Sequence, residues 1–237
     1  MIAVAALILI VALVGVLVRP WDMHESTWAA LGAIAMLATG SEPLTGAWHV
    51  LGTNLSVLAF LAGVLALAAA ADDAGWFAQG ARLAVHGAHG SPMRLFVGVC
   101  IVSFAGSVLF SLDAAAVALT PVVLIAARRT GAAPEPLLFA CIAVANTASM
   151  ALPISNPTNV IVADRVGLDF IEYARTMLPA ALAASVAVSL VLGLRFRHEL
   201  TGTLEQPTSS AGIANRTTAL TSAVATALAL AGFVLFP

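Results

Sequence analysis

Long uncharged apolar runs, separated by short polar segments, make up most of this chain. A helix that crosses a membrane needs about 20 apolar residues, with a range near 17 to 25. Several runs have roughly that length, which predicts membrane-spanning helices. The pattern therefore predicts an all-α integral membrane protein, a polytopic helical bundle. The runs that predict single helices are 2–18, 27–40, 53–71, 176–194 and 217–237.

Two of the connecting segments bear on this map. A cleaved signal peptide would place positive charge before its apolar run and a small-residue cleavage site after it. Here the arginine, Arg19, follows the first run, so we expect residues 2–18 to stay as a permanent helix. Residues 72–94 are polar and contain glycine. They predict a loop with a short interfacial helix around Trp76 to Val85.

The stretch 95–127 carries a single charge, Asp113, near its middle. The arm after this residue, 114–127, would be roughly 21 Å long as a helix, which is shorter than a bilayer core of about 30 Å. We therefore predict a re-entrant hairpin with its tip at Ser111 to Ala114, buried inside protein. Two full membrane spans remain the alternative.

The stretch 136–163 has no charge and would be roughly 42 Å long if it were helical throughout. Pro153 and Pro157 lie four residues apart in its middle, among Ser, Asn and Thr. Because proline cannot continue a straight helix, the pattern predicts a broken helix. Its arms would lie near 137–151 and from about 158. Such irregular backbone persists at membrane depth only where protein or a water-filled cavity satisfies its polar groups.

Composition supports the membrane interpretation and excludes several functions. Of the 237 residues, 61% are hydrophobic and 9% are charged, whereas a soluble domain is about 25% charged. There is no basic surface for nucleic acid, so no nucleic-acid partner is expected. No nucleophile–base pair or metal-spaced set predicts an enzyme, a metal site or a cofactor. Cys100 and Cys141 lie in apolar stretches as small hydrophobes, with thiol ligation of a soft metalloid as the alternative. Tryptophans near predicted span ends are typical of an aromatic belt: Trp21, Trp28, Trp48 and Trp76.

The placement of arginine predicts the topology. With the N-terminus outside and the spans alternating, only Arg165 and Arg175 fall in outside segments. The other arginines fall inside, which follows the positive-inside rule. We predict a multi-pass protein of the inner (plasma) membrane, with a cytoplasmic linker at 201–216. The inside arginines are Arg19, Arg82, Arg94, Arg128, Arg129, Arg195, Arg197 and Arg216.

Asp113 is the one acidic residue within an apolar stretch. An ionisable group there costs about 2.5 to 3.5 kcal/mol on insertion scales and usually marks a pathway or a proton relay. A structural alternative is that Asp113 or Ser111 caps the helix that starts near residue 114. The two roles are compatible, since transporters aim half-helix N-termini at a midplane site.

A dense polar cluster surrounds the predicted break. Such groups often serve only as hydrogen-bonding contacts between helices. The Ser-Asn-Pro-Thr-Asn run differs, because it joins amide and hydroxyl groups to a broken helix, which suits weak, reversible coordination of a small ion or solute. The cluster consists of Asn146, Thr147, Ser149, Ser155, Asn156, Thr158 and Asn159.

Two segments carry a resemblance to a known family. Residues 110–121 read FSLDAAAVALTP, and residues 145–159 read ANTASMALPISNPTN. They resemble the first hairpin tip and the following broken helix of the ArsB/NhaD branch of the ion transporter superfamily. Ser91 to Arg94, before the hairpin, and the Phe170 to Pro179 stretch are also similar to that branch. The resemblance covers nearly the whole chain.

The resemblance implies two inverted repeats, each with a hairpin and a broken helix that meet at a midplane site. It implies extrusion of arsenite or antimonite, coupled to protons or driven by a soluble partner ATPase. A sodium/proton antiporter or a di- or tricarboxylate (citrate-like) carrier of the same fold is the alternative. The branch usually has Asn where this chain has Leu112. One amide ligand is thus missing, which weakens a sodium site more than a proton role for Asp113.

The length of the chain is the larger departure from the branch, whose members are nearly twice as long. On this comparison residues 1–200 form the first repeat, and 217–237 form the first helix of an absent second repeat. We therefore expect no transport by this chain alone. Either the chain is a truncated or split gene product, or a separate chain supplies the second repeat. An alternative of another class is a non-transporting membrane subunit or a truncated relic.

Overall fold

The computed structural model describes residues 2–53 and 55–205, together with Val224. These residues fall into two compact units, Met1–Leu58 and Ala59–Pro237. The described elements are helical, and the sequence-based prediction of a helical membrane bundle is confirmed. Most of the predicted linker 201–216 and of the predicted helix 217–237 lies outside the described residues.

The first unit contains three helices, α1 (Ile2–Val18), α2 (Glu25–Ala38) and α3 (Leu44–Thr53). Helix α1 packs on α2 and buries Gly15 against the indole of Trp28. Helix α2 begins two residues earlier than the predicted 27–40, because Glu25 occupies its first turn, where an acidic side chain favours the helix dipole. Helix α3 was not predicted, since its ten residues are fewer than a span requires.

The second unit is built around α6 (Pro92–Phe110), which contacts α5 (Trp76–Ala88), α7 (Leu112–Thr130), α8 (Pro134–Ala148) and α10 (Phe170–Arg195). Its buried residues, including Leu95, Phe96 and Val99, face these neighbours. The unit also holds α4, which begins in the first unit and crosses the boundary. The elements in chain order are α4 (Leu55–Asp73), α5 (Trp76–Ala88), α6 (Pro92–Phe110), α7 (Leu112–Thr130), α8 (Pro134–Ala148), a 3-10 turn (Pro153–Ser155), α9 (Pro157–Val166) and α10 (Phe170–Arg195).

Helix α5 lies where the sequence pattern predicts a short interfacial helix around Trp76 to Val85, and it is three residues longer than predicted. Small residues let α5 and α6 approach closely: a Cβ added at Gly98 would lie 2.8 Å from Ala84 Cβ and 3.0 Å from Ala84 Cα. The α5 face that packs here buries Phe77 and three alanines. Trp76, expected in an aromatic belt, instead packs edge-on against Phe110, with ring centroids 6.2 Å apart. The segment is therefore part of the core rather than a surface connection.

Helix α7 is longer than the sequence pattern predicts. It has 19 residues, or about 28 Å, instead of the expected arm 114–127. Asp113 lies in its first turn, and Arg128 and Arg129 lie in its last turn. Each charge suits the dipole at its end of the helix, so these residues lie within the helix and do not mark its limits. Arm length therefore no longer distinguishes a re-entrant hairpin from two full spans.

Two described helices are long and apolar enough to cross a membrane, Pro92–Phe110 and Phe170–Arg195. Helix α1 is also apolar but shorter, with 17 residues. Helix α10 has 26 residues, or about 39 Å, which exceeds a bilayer core of about 30 Å. Positions along α10 therefore indicate the membrane depth of the residues that pack against it.

Candidate functional site

A single residue, Ser111, connects α6 to α7. Its backbone has φ 126° and ψ 162°, a conformation that side chains rarely adopt and that costs about 1–3 kcal/mol. The residue is 4% exposed, and its Oγ accepts a hydrogen bond from Ala114 N at 3.4 Å. Ser111 is thus the N-cap of α7. The surrounding protein must hold this tight turn in place.

Aromatic packing supplies part of that support. Phe110, the last residue of α6, is 3% exposed. Two aromatic residues of α5, Trp76 and Phe77, meet it edge-on, with ring centroids 6.2 Å and 5.4 Å away. Pairs at such separations contribute about 0.5–1.5 kcal/mol beyond their burial. The hairpin tip is therefore fixed from the α5 side.

The chain leaves the helical conformation between Ala148 and Pro157, where the two prolines were expected to interrupt it. Leu152 and Asn156 are extended, and each precedes a proline that opens the next helical segment. The break thus separates α8 from α9 by a short strip that contains one 3-10 turn.

Two asparagines satisfy backbone groups at this break. Asn159 Nδ2 donates to Ser149 O at 2.7 Å and to Leu152 O at 2.9 Å. Asn156 Oδ1 accepts from Thr158 N at 3.0 Å and caps α9. These bonds replace the helical ladder that the prolines interrupt. Asn156 and Asn159 therefore have a structural role alongside any role toward a solute.

Two hydrogen bonds join the hairpin to the broken helix, one buried and one partly buried. Ser155 Oγ donates to Val108 O at 2.8 Å, and Ser107 Oγ donates to Ala145 O at 2.7 Å. Both serines have 0% exposure. The C-terminal ends of α6 and α8 consequently lie at one level, and α7 and α9 both begin there. Helix N-termini carry partial positive charge and unpaired N–H groups, so two of them near one level favour polar ligands.

A third bond relates this level to α10. Thr147 Oγ1 and Ser185 Oγ lie 2.8 Å apart. Ser185 is about 22 Å along the helix axis from Phe170 and about 15 Å from Arg195. Phe96, near the start of α6, lies beside Gly193 at the other end of α10. Counted from Ser185 the hairpin tip lies about 20 Å short of the N-terminal end of α10, and counted from Gly193 about 12 Å short of it, so the tip lies near the middle of α10.

The structure assigns the helix cap that the sequence left open. Ser111 accepts the capping hydrogen bond, whereas Asp113 lies exposed in the first turn. Among the described residues, no hydrogen bond or ion pair engages the Asp113 carboxylate. The carboxylate is thus available to a solute or a proton at the start of α7.

The remaining predicted residues are distributed unevenly. Thr147 faces α10, and Ser149 Oγ donates to Asn146 O at 2.8 Å within the same turn. Asn146 is exposed, with its Nδ2 donating to Ile142 O at 3.0 Å. Thr158 is exposed in the first turn of α9. Ser111 and Asp113 thus lie at the start of α7, and Ser155, Asn156, Thr158 and Asn159 lie at the break, where Ser155 bonds to the hairpin. Asn146 and Thr147 lie on the last turn of α8.

Sequence reasoning missed the buried serines of α6 and α10. Ser107 and Ser185 make two of the three interhelical bonds, and Ser103 is fully buried with no partner for its Oγ in the described part of the chain. The spacing of these serines in the sequence could have revealed them. Ser103 and Ser107 lie four residues apart, as do Ser185 and Ser189. That spacing places each pair on one face of an otherwise apolar helix.

The donor set limits the chemistry of this site. Hydroxyls, amides, two helix N-termini and one carboxylate are present, and the arginines of the second unit's hairpin and α10 lie near helix ends. Within the described residues, no group of three or more His, Cys, Asp or Glu side chains is placed to hold a metal ion. The site thus combines hydrogen-bonding groups and the partial positive charge of two helix N-termini with one carboxylate.

Interrupted helices that meet near the middle of a membrane bundle define the class of helical secondary transporters. The citrate transporter family matches residues 1–237, and the chain belongs to that family. The resemblance to arsenite-efflux permeases is also confirmed. The arsenical pump membrane protein of Escherichia coli (strain K12) is 31% identical over 202 residues, which cover 83% of this chain and 46% of the relative.

Two further relatives come from distant organisms. A silicon efflux transporter of Oryza sativa subsp. japonica is 31% identical over 174 residues, 73% of this chain and 35% of the relative. An uncharacterized transporter of Mycobacterium tuberculosis is 29% identical over 140 residues, 59% of this chain and 33% of the relative. The named relatives are transport proteins rather than enzymes. The chain spans about half the length of the curated relatives it matches, or less.

Proposed function

We propose that this chain forms one half of the solute pathway of a secondary active transporter that extrudes arsenite or antimonite. The observation that carries the proposal is the meeting of the hairpin tip and the broken helix at the level of Ser185, midway along α10. Asp113 exchanges a proton, and the strip 155–159 contacts the solute. The other half of the pathway comes from sequence equivalent to the rest of the relatives' length, on the same or another polypeptide.

The position of the hairpin tip along α10 supports a re-entrant hairpin. If α10 crosses the bilayer, a tip level with its middle lies near the bilayer centre, and neither arm of the hairpin reaches the far surface. The arginines support an orientation. Arg94 and Arg195 lie at the end where the hairpin begins, together with Arg128 and Arg129, and Arg175 lies at the opposite end. We therefore propose that the hairpin opens from the cytoplasmic side of the inner membrane, and we keep the sequence-based expectation that the N-terminus lies outside.

The donor set favours a neutral solute over citrate. Arsenious and antimonous acids are small uncharged hydroxides near neutral pH, and silicic acid, the hydroxide of silicon, has the same character. Hydroxyl and amide groups can exchange hydrogen bonds with such solutes through donor and acceptor positions alike. A tricarboxylate would instead meet the unpaired Asp113 carboxylate, without a compensating arginine at the level of the tip. Like charges at close range cost several kcal/mol in a low dielectric.

Coupling to protons fits Asp113, the only acidic residue in either hairpin arm. A carboxyl that alternates between charged and neutral forms can move with or against a solute. A sodium/proton antiporter is less well supported, because Leu112 supplies no ligand where the resembling branch has an amide. A soluble ATPase as an energy source is the other partner that the resemblance to arsenite-efflux permeases suggests.

The proposal is tested by arsenite resistance in an efflux-deficient bacterial strain. The strain would express this chain alone, or together with a polypeptide equivalent to the second half of the Escherichia coli relative. We expect resistance only with both halves. Resistance from the chain alone would overturn the half-site proposal. If neither case gave resistance, arsenite would be wrong as the solute, and a non-transporting subunit would be favoured.

Variants identify the residues responsible. Asp113→Asn and Asn156→Ala should each abolish resistance of the complete assembly. Asp164→Asn is the matched control, because Asp164 is exposed near the C-terminal end of α9, away from the tip. Full activity of both site variants, at equal expression, would show that the site assignment is wrong.

A further inference from the structure

A long open groove of about 650 Å³ runs between α6 and α10, with Val144 of α8 at its floor. Its α10 wall extends from Leu182 to Leu194, about 18 Å along the helix axis, and Arg197, two residues beyond the end of α10, lines the far end of the groove. One leaflet contributes about half of a 30 Å hydrocarbon core, followed by its head-group layer. The groove therefore has the length of one lipid from chain end to head group.

The walls of the groove are apolar and uncovered. Val186, Leu190 and Leu194 are 50%, 62% and 70% exposed, and Ile101 across the groove is 64% exposed. Exposed side chains of this kind require an apolar occupant when the protein lies in a membrane. The polar atoms of Ser185 and Ser189 lie at the end near the middle of α10.

The opposite end of the groove is basic. Arg197 lines it, is exposed, and donates one hydrogen bond from Nε to His198 Nε2 at 3.2 Å. In the described segments of the chain, no carboxylate lies within ion-pair distance of its guanidinium. A guanidinium has five N–H donors in a fork that matches phosphate oxygens. The free donors therefore point to an anionic head group rather than to a second apolar helix.

We propose that this groove binds one acyl chain of an anionic phospholipid, with the lipid phosphate on Arg197. An apolar channel of lipid length that ends in an unpaired guanidinium is complementary to such a molecule in both shape and charge. The lipid would belong to the cytoplasmic leaflet. The assignment to the cytoplasmic leaflet rests on the proposed orientation of the transporter. Lipid binding itself requires neither transport nor a second half.

Cys100 provides a probe for occupancy. Its side chain lines the groove and is 8% exposed, whereas Cys141 has 0% exposure and does not line it. In a Cys141→Ser background, an acyl chain in the groove should slow alkylation of Cys100 by N-ethylmaleimide. The purified full chain in detergent would be titrated with phosphatidylglycerol or phosphatidylcholine of identical acyl chains.

We expect phosphatidylglycerol to protect Cys100 at about fivefold lower concentration than phosphatidylcholine, which corresponds to about 1 kcal/mol for one arginine near a lipid surface. Arg197→Gln should remove this preference and leave the protection by phosphatidylcholine unchanged. Arg195→Gln is the matched control, because it removes the same charge from the same helix end. Arg195 lies over the Phe196 ring and does not line the groove.

A second variant tests the acyl chain itself. A Cβ added at Gly193 meets Phe96 Cε1 at an ordinary 3.6 Å, so Gly193→Leu should fold and fill the groove. It should abolish protection by both lipids. Equal protection by the two lipids in the unaltered chain would overturn the anionic assignment. Protection that persists in Gly193→Leu would show that the lipids act elsewhere, and the proposal would be wrong whether or not arsenite is transported.

Discussion

Replacing Ser155 with alanine should destabilise the second unit more than replacing Ser107. Both serines are fully buried, and each donates one interhelical hydrogen bond, at 2.8 Å and 2.7 Å respectively. The two acceptors differ. Ala145 O also accepts from Ser149 N at 3.0 Å, whereas Val108 O lies in the last turn of α6, where carbonyls lack helical partners. Among the described residues, Ser155 is the donor to Val108 O.

The magnitudes follow from that difference. Loss of Ser107 Oγ removes one hydrogen bond from Ala145 O, which keeps its hydrogen bond from Ser149 N. Interhelical hydrogen bonds in membrane bundles contribute about 0.6 kcal/mol on average. Loss of Ser155 Oγ leaves a half-buried acceptor without its donor, which costs about 1–3 kcal/mol. We therefore expect Ser155→Ala to exceed Ser107→Ala by roughly 1 kcal/mol or more. The two substitutions are chemically identical, so each is the control of the other.

Reversible unfolding of the purified chain in mixed detergent micelles, followed by circular dichroism, measures both free energies. An equal decrease in the free energy of unfolding for the two variants would refute the reasoning, since it would mean that Val108 O finds another hydrogen-bond donor. A larger loss for Ser107→Ala would indicate that the hairpin is held to α8 rather than to the broken strip.

Three further substitutions test other parts of the site. Ser111→Gly and Ser111→Ala both lose the helix cap, but only glycine adopts the positive φ without strain. The glycine variant should therefore be about 1 kcal/mol more stable than the alanine variant in the same unfolding assay. A less stable glycine variant would mean that the backbone of Ser111 is not strained. Gly98→Ala should lower the free energy of unfolding by about 1–3 kcal/mol, because its Cβ would meet Ala84 at 2.8 Å, whereas Gly193→Ala should leave it unchanged within error. Equal melting temperatures for the two variants would contradict the close approach of α5 and α6. Asn159→Ala removes the side-chain donor to Ser149 O, whereas Leu152 O keeps Ser155 N at 3.1 Å. The substitution should cost about 1 kcal/mol and most of the transport of the complete assembly, and unchanged proteolysis of the break would argue against it.

Much of the fold follows from local chemistry in the sequence. The prolines at 153 and 157 act on their own neighbours, so the interruption of the helix could be located from the sequence alone. Ser111 and Asp113 lie at a helix start for an equally local reason, the preference of caps and acidic groups for N-termini. These are the features that carry the resemblance to the transporter family.

Features that depend on distant contacts could not be predicted. The limits of α7 were misjudged because charged residues were taken as helix ends, although the dipole accepts them within the first and last turns. The partners of Ser155 and Ser107 are 47 and 38 residues away in sequence. Nothing local specifies such pairs. The groove likewise exists only because α10 packs beside α6, which the sequence pattern does not specify.

The membrane depth of the hairpin tip is the measurement that tests the account most directly. In a Cys100→Ser and Cys141→Ser background, spin labels would be placed singly at Leu112, Val166 and Leu194, and their depth measured by power saturation with oxygen and a nickel chelate. The account predicts Leu112 within a few Å of the bilayer centre, with Val166 and Leu194 each about 14–17 Å from it on opposite sides. A label at Leu112 as shallow as the one at Val166 would show that the hairpin crosses the membrane, and the midplane site would be wrong.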